Sequence, residues 1–217
     1  MCKKTVLNNG IRVITEEVNY VNSVSIGLWI NTGSINELTS MNGITHFIEH
    51  LLFKGTQKRS SIDIVKDIES VGGIINAFTS KEYTCIYAKV LDRYFPLAIE
   101  TLSDILLNSR FDKEDIDKER EIVLQEIMLV EETPDDYVHD LFNYSLFYDH
   151  PLCYPVQGTT DSVKEIKREG EKRAEIEYRI AGEWFLFIRK SADIIDIWEN
   201  DGGDWYLFPP KTLKKKE

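Results

Sequence analysis

No apolar run in this 217-residue sequence approaches the roughly 18 residues that a membrane-crossing helix needs, so a membrane is not an expected partner. Basic charge is also in deficit. The chain sets 26 Lys and Arg against 37 Asp and Glu, a net charge of −11, whereas a phosphate backbone is held by clustered cations; nucleic acid is not an expected partner either. Cysteine is scarce. Cys2, Cys85 and Cys153 are odd in number and widely spaced, which argues against a disulfide framework and suits reduced thiols in a cytosol. The start, Met1-Cys2-Lys3-Lys4-Thr5, leads into no apolar h-region, so a signal peptide is not expected. Internal repeats and Gly/Ser-rich or Pro-rich linkers are lacking too. These absences together lead us to expect a cytoplasmic protein.

What is present suffices for a core. Hydrophobic residues make up 42% and charged residues 29%, which excludes a disordered chain. The length suits one large domain, or a domain of about 150 residues with an appendage. Residues 1–160 hold 14 basic and 24 acidic side chains and all four histidines, while the remainder is nearly neutral and holds three of the four tryptophans. We therefore expect a domain over 1–166 and a divergent tail over 167–217 that could finish the same domain.

Periodicity gives the elements. Residues 5–7 and 11–16 flank Asn8-Asn9-Gly10, a hairpin signal because both turn positions tolerate positive φ. Val24, Ile26, Leu28 and Ile30 alternate as in a strand with one buried face. A helix is expected over about 42–54, with Gly55 as its C-cap, and another after Ser60 or Ser61, stopped by Gly72-Gly73. Strands over 74–79 and 83–91 read as a hairpin. Helices follow after Pro96, over 113–131, and over 135–147 beyond Pro134. This pattern predicts an α+β fold, a largely antiparallel sheet packed against helices.

The chemistry concentrates in His46-Phe47-Ile48-Glu49-His50. Four residues on a helix turn through about 400°, so the two imidazoles stack on one face. They can both bind one Zn2+, at roughly 2.0–2.1 Å each. Glu49 projects beside them, where a carboxylate can take a proton from water. The same spacing also occurs on amphipathic helices that carry two solvated histidines, so a third ligand is needed. Glu119 and Glu126 are seven apart on the helix over 113–131 and point within about 20° of each other. Either could ligate the metal, with the other orienting a ligand or the water; a merely solvated acidic stripe would show the same spacing. His139 and His150 read as solvated or capping residues.

The run His46-Phe47-Ile48-Glu49-His50-Leu51-Leu52-Phe53-Lys54-Gly55-Thr56 resembles the inverted zinc motif of the insulinase/pitrilysin-type metallopeptidases. It is most similar to the branch of mitochondrial and bacterial processing peptidases. Gly33-Ser34-Ile35-Asn36-Glu37 resembles that family's loop before the zinc helix, and Gly72-Gly73-Ile74-Ile75-Asn76-Ala77-Phe78-Thr79-Ser80 resembles its substrate-edge strand. The run from Glu119 to Ile127, followed by Thr133-Pro134-Asp135-Asp136, resembles the helix bearing its third ligand. The likeness covers about residues 5–163, in order.

The resemblance implies a half-shell metallopeptidase domain with one Zn2+ per chain. It implies His46, His50 and Glu126 as ligands, Glu49 as general base and Glu119 as a supporting catalytic acid. Asn76 and Ala77 are implied to bind the substrate on a strand edge. A peptide is thus the expected substrate, and zinc-dependent endoproteolysis the expected activity. Beyond 167 the likeness lapses. A strand or hairpin is expected over 176–190, around Ala181-Gly182, then a turn over 201–204 and a basic tail over 211–217. The second domain that the family's chamber requires has no counterpart in the sequence. The expectation is therefore a homo-oligomer or a partner chain that supplies the missing half. The alternatives are a truncated gene product, incomplete as a catalyst, and a subunit that binds peptide without cleaving it. A purely structural zinc site is disfavoured, because such sites are closed by four protein ligands, usually including Cys.

Overall fold

Alternating small and branched side chains build the central strand, β3 (Ser23–Ile30). Val24, Ile26, Leu28 and Ile30 all face the core. In the computed structural model, residues 2–8 and 10–167 are described in full, together with the backbone of 184–189 and 194–198. Strands β1 (Lys3–Val6) and β2 (Arg12–Thr15) form the N-terminal hairpin, and Gly10 takes φ +85° in its turn. Helices α1 (Ile44–Leu52) and α2 (Ser61–Glu69) follow β3, then strands β4 (Ile74–Thr79) and β5 (Thr84–Leu91). Helices α3 (Phe95–Asn108), α4 (Lys113–Glu132), α5 (Pro134–Leu146) and α6 (Thr160–Glu165) come next. Backbone strands β6 (Trp184–Arg189) and β7 (Ile194–Trp198) complete the order.

One sheet runs β1-β2-β7-β6-β3-β5-β4. Its pairings are antiparallel except for the additional parallel alignment of β2 with β6. The α+β fold with a largely antiparallel sheet is thus the observed one. The strand expected over 176–190 contains β6, whose backbone lies between β3 and β7. The expected turns at 181–182 and 201–204 and the tail over 211–217 lie outside the described residues.

The helices cover one face of the sheet. Phe47, Ile48 and Leu51 of α1, Ile64 and Ile68 of α2, Leu102 and Ile105 of α3, and Val123 and Ile127 of α4 meet the inward side chains of β3 and β5 in one cluster. Each such side chain contributes about 1.5–3 kcal/mol by leaving water, so α1 is seated by its apolar side and turns its histidines toward α4. On the opposite face, Trp29, Phe78, Tyr83 and Tyr87 form an aromatic cluster with centroids 5.1–6.2 Å apart.

Two helix ends differ from the sequence expectation. Helix α1 stops at Leu52, with Phe53 rather than Gly55 in the C-cap position. The hydroxyl of Thr56 accepts the amides of Lys58 and Arg59, and this turn draws the chain out of the helix. Gly55, at φ +134°, instead forms a bridge with Ser60. At the other end α1 begins after Gly43, whose φ of +90° disfavours an L side chain. A Cβ there would also lie 2.5 Å from the Gln157 carbonyl oxygen. Among the described residues, no helix is long and apolar enough to cross a membrane.

Candidate metal centre

Helix α1 brings His46 and His50 onto one face, with ring centroids 4.6 Å apart. Helix α4 crosses beside them. The Glu126 Oε2 atom lies 3.5 Å from His50 Nε2 and 3.9 Å from His46 Nε2. One ligand atom from each of His46, His50 and Glu126 falls within 4.8 Å of the others; among the described residues no other His, Cys or acidic group of three is so close. Neighbouring ligands of a tetrahedral zinc are roughly 3.4 Å apart when each bond is 2.0–2.1 Å. Two imidazoles and a carboxylate at these separations fit that ion, and a position is left open for water.

The two acids of α4 behave differently. Glu126 is half exposed, at 43% of its side chain, whereas Glu119 is buried at 5%. Glu119 Oε2 lies 3.2 Å from His50 Nδ1, and its Oε1 lies 2.6 Å from the Lys54 ammonium. Both of its oxygens are therefore engaged away from the cluster of Nε2 atoms. The Nδ1–H of His50, donated to Glu119, leaves the Nε2 lone pair facing Glu126.

Burial, with His50 beside it, pushes the His46 imidazole down to about 4. It is therefore neutral near pH 7, the form that donates a lone pair to a metal. His46 Nδ1 is buried without a hydrogen-bond partner among the described residues. Burial also pushes the Glu49 carboxyl above its ordinary range, against the pull of a hydrogen bond from Thr79. That bond, Thr79 Oγ1 to Glu49 Oε2, is 2.6 Å long.

Thr79 ends β4, which pairs with β5 and stands last in the sheet. Asn76 is exposed on this strand and its Oδ1 accepts the Ala77 amide at 2.9 Å. The Ala77 side chain belongs to the core, at 8% exposure, so it offers a ligand no side-chain contact. The structure thus gathers His46, His50 and Glu126 around one point, with Glu49 on the same helix bonded to Thr79 and Glu119 behind His50, and sets Asn76 and Ala77 on β4. His139 is exposed, and His150 caps the turn Pro151–Cys153 by accepting the Leu152 amide.

Three supporting residues stood inside the family-like runs but were assigned no role there. Thr79 shares the parity of Ile75 and Ala77, which was a legible signal once β4 was set beside α1. Lys54 follows His50 by four, another readable spacing. Glu37, which accepts the Gly43 and Thr45 amides at the start of α1, left no periodic trace.

A family model described as insulinase (peptidase family M16) matches residues 12–160. The chain belongs to this family. Among M16 relatives, the uncharacterized zinc protease SCO5738 of Streptomyces coelicolor is 47% identical over 171 residues, which are 79% of this chain and 37% of that protein. The uncharacterized zinc protease YmxG of Bacillus subtilis is 38% identical over 206 residues, covering 95% of this chain and 50% of that protein. This second alignment runs past residue 167. The chain spans half or less of the length of these curated relatives. The fold agrees with the crystal structure of a putative M16-like peptidase from Alicyclobacillus acidocaldarius, with TM-score 0.76 and 21% identity over 88% of this chain and 46% of that one.

Proposed function

We propose that this M16 chain is the metal-bearing part of a zinc-dependent endopeptidase that hydrolyses peptides or unfolded segments. The convergence of His46, His50 and Glu126 beside a half-buried, Thr79-bonded Glu49 carries this reading. When bound, zinc would supply the Lewis acidity that activates a water and polarises the scissile carbonyl. Glu49 takes the proton of the attacking water and delivers it to the leaving amine; its raised affinity for protons suits both transfers. Glu126 serves as the third ligand because its oxygen is the one that faces both Nε2 atoms. Glu119 holds His50 in the required tautomer. The peptide lies along β4 as an added strand at Asn76 and Ala77, so main-chain groups, common to all peptides, do most of the binding.

The working chamber draws on more than these residues. Ile122 and Leu129 of α4, and Val138, Leu141, Phe142 and Leu146 of α5, are exposed apolar side chains. A further domain, a partner chain or a second copy would cover that face. This observation favours a second reading, in which the chain alone binds peptide and metal but needs its partner to cleave.

The test is incubation of the zinc-loaded chain with unstructured peptides of 15–30 residues, read by mass spectrometry beside Glu49→Gln. Cleavage by the wild type that vanishes in the variant supports the endopeptidase. Retention of one zinc per chain without cleavage supports the second reading. A chain that takes up no zinc sinks both.

A further inference from the structure

Glu119 is an acid that its own helix does not compensate. Its carboxylate is 5% exposed, and the residues three and four positions away on α4 are Asp115, Ile116, Ile122 and Val123. A buried carboxylate without a cation is strongly disfavoured. The cation comes from α1's end. Lys54 lies two residues past the last helical residue, and its amide still donates to the Leu51 carbonyl at 3.1 Å. The chain is therefore still turning when Lys54 leaves it. Four residues after His50, Lys54 reaches the same side, and its ammonium meets Glu119 Oε1 at 2.6 Å while the other oxygen meets His50 Nδ1 at 3.2 Å.

We propose that Lys54 is a positioning residue of the metal centre, which clamps the Glu119 carboxylate in the one orientation that holds His50 with Nε2 toward Glu126. The inference rests on the zinc reading above. Lys54 touches neither the metal position nor the peptide edge; it acts through Glu119. A carboxylate held at one oxygen by a charged hydrogen bond cannot swing toward the ion and become a competing ligand. The division of labour between the two acids of α4 follows from a lysine on another element.

The test compares wild type with Lys54→Met, Lys54→Arg, Glu119→Gln and the double variant Lys54→Met/Glu119→Gln. Zinc affinity is measured by competition with a chromophoric chelator, and the visible spectrum of the cobalt(II)-substituted chain is recorded. Lys54→Met is expected to lower zinc affinity about 10–100-fold and to shift the cobalt bands. Lys54→Arg should recover most of the affinity. On the Glu119→Gln background the Lys54→Met change should cost little, since its route is already cut. The Lys54 side chain is 34% exposed, so its loss opens no core cavity; should Lys54→Met fail to fold, Lys54→Gln carries the same comparison. Unchanged affinity in Lys54→Met overturns the inference alone, as does an undiminished loss on the Glu119→Gln background. A wild type that binds no zinc overturns the metal reading and this inference together.

Discussion

The carboxylate of Glu37 holds the first turn of α1 through the Gly43 amide, at 2.7 Å. Its other oxygen takes the Thr45 amide at 2.8 Å, and the Asn42 side-chain amide adds a third bond. Gly43 has no side chain with which to cap the helix, so a loop residue six positions earlier satisfies donors that helix geometry leaves open. Its negative charge also sits at the positive end of the helix dipole.

Glu37→Ala therefore destabilises the chain by about 1.5–3 kcal/mol, the range for hydrogen bonds to a charged group. Urea unfolding of the metal-free protein measures it. Because α1 carries both histidines, zinc affinity falls in the same variant. A stability loss below about 0.5 kcal/mol would show that water caps this helix equally well.

Thr79 and Glu49 offer a cleaner separation of stability from activity. Thr79→Val keeps the shape of β4 and removes the 2.6 Å hydrogen bond to Glu49, the proposed base. Unfolding free energy should change by less than about 1.5 kcal/mol. Peptide hydrolysis by the assembled enzyme should drop about tenfold or more, the scale on which a misplaced catalytic group costs rate. The loss should fall on kcat rather than KM. Full activity would mean that Glu49 is positioned by its backbone alone.

Acid stability reports a different cluster. Asp104 is buried, and burial alone would raise its pKa. Hydrogen bonds from Thr56, Arg59 and Asn108, at 2.7, 2.7 and 2.9 Å, outweigh that and hold its carboxyl below the usual range. A carboxyl depressed by folding contributes stability that is fully present above its unfolded value, about 3.9, and is lost as pH falls through the folded value. Asp104→Asn should thus be less stable than wild type near neutral pH, and the gap should narrow below about pH 4. Denaturant midpoints taken from pH 7 to pH 3 test this; a constant gap would assign the difference to packing.

The parts of this fold that were legible in sequence are those set by local repetition. Alternation from Val24 to Ile30 announced a one-sided strand, and Ser60 announced the start of α2. The spacing of His46 and His50 announced a shared face. What spacing left open was the choice between Glu119 and Glu126, which point nearly the same way on α4. Their packing against α1 separates them: Glu126 Oε2 faces both Nε2 atoms, whereas Glu119 is taken by His50 Nδ1 and Lys54. Gly55 misled for a related reason, since glycine marks both helix ends and bridges, and the Thr56 turn decided between them. The seat of β6 between β3 and β7 depends on pairing across some 150 residues, which no short-range pattern encodes.

Among the described residues no strand pairs with the outer edge of β4, and this has a consequence for handling the molecule. Ile74-Ile75-Asn76-Ala77-Phe78-Thr79 has neither charge nor proline, and Ile74 and Phe78 are exposed. Strands of that composition at a sheet margin are templates for aggregation, which natural edges usually discourage with lysine, proline or a bulge. An edge that takes peptides through main-chain groups, as proposed above, would have little means of refusing another copy of itself. At high concentration, a short peptide ligand would then act as a solubilising agent, shielding the chain from its own kind.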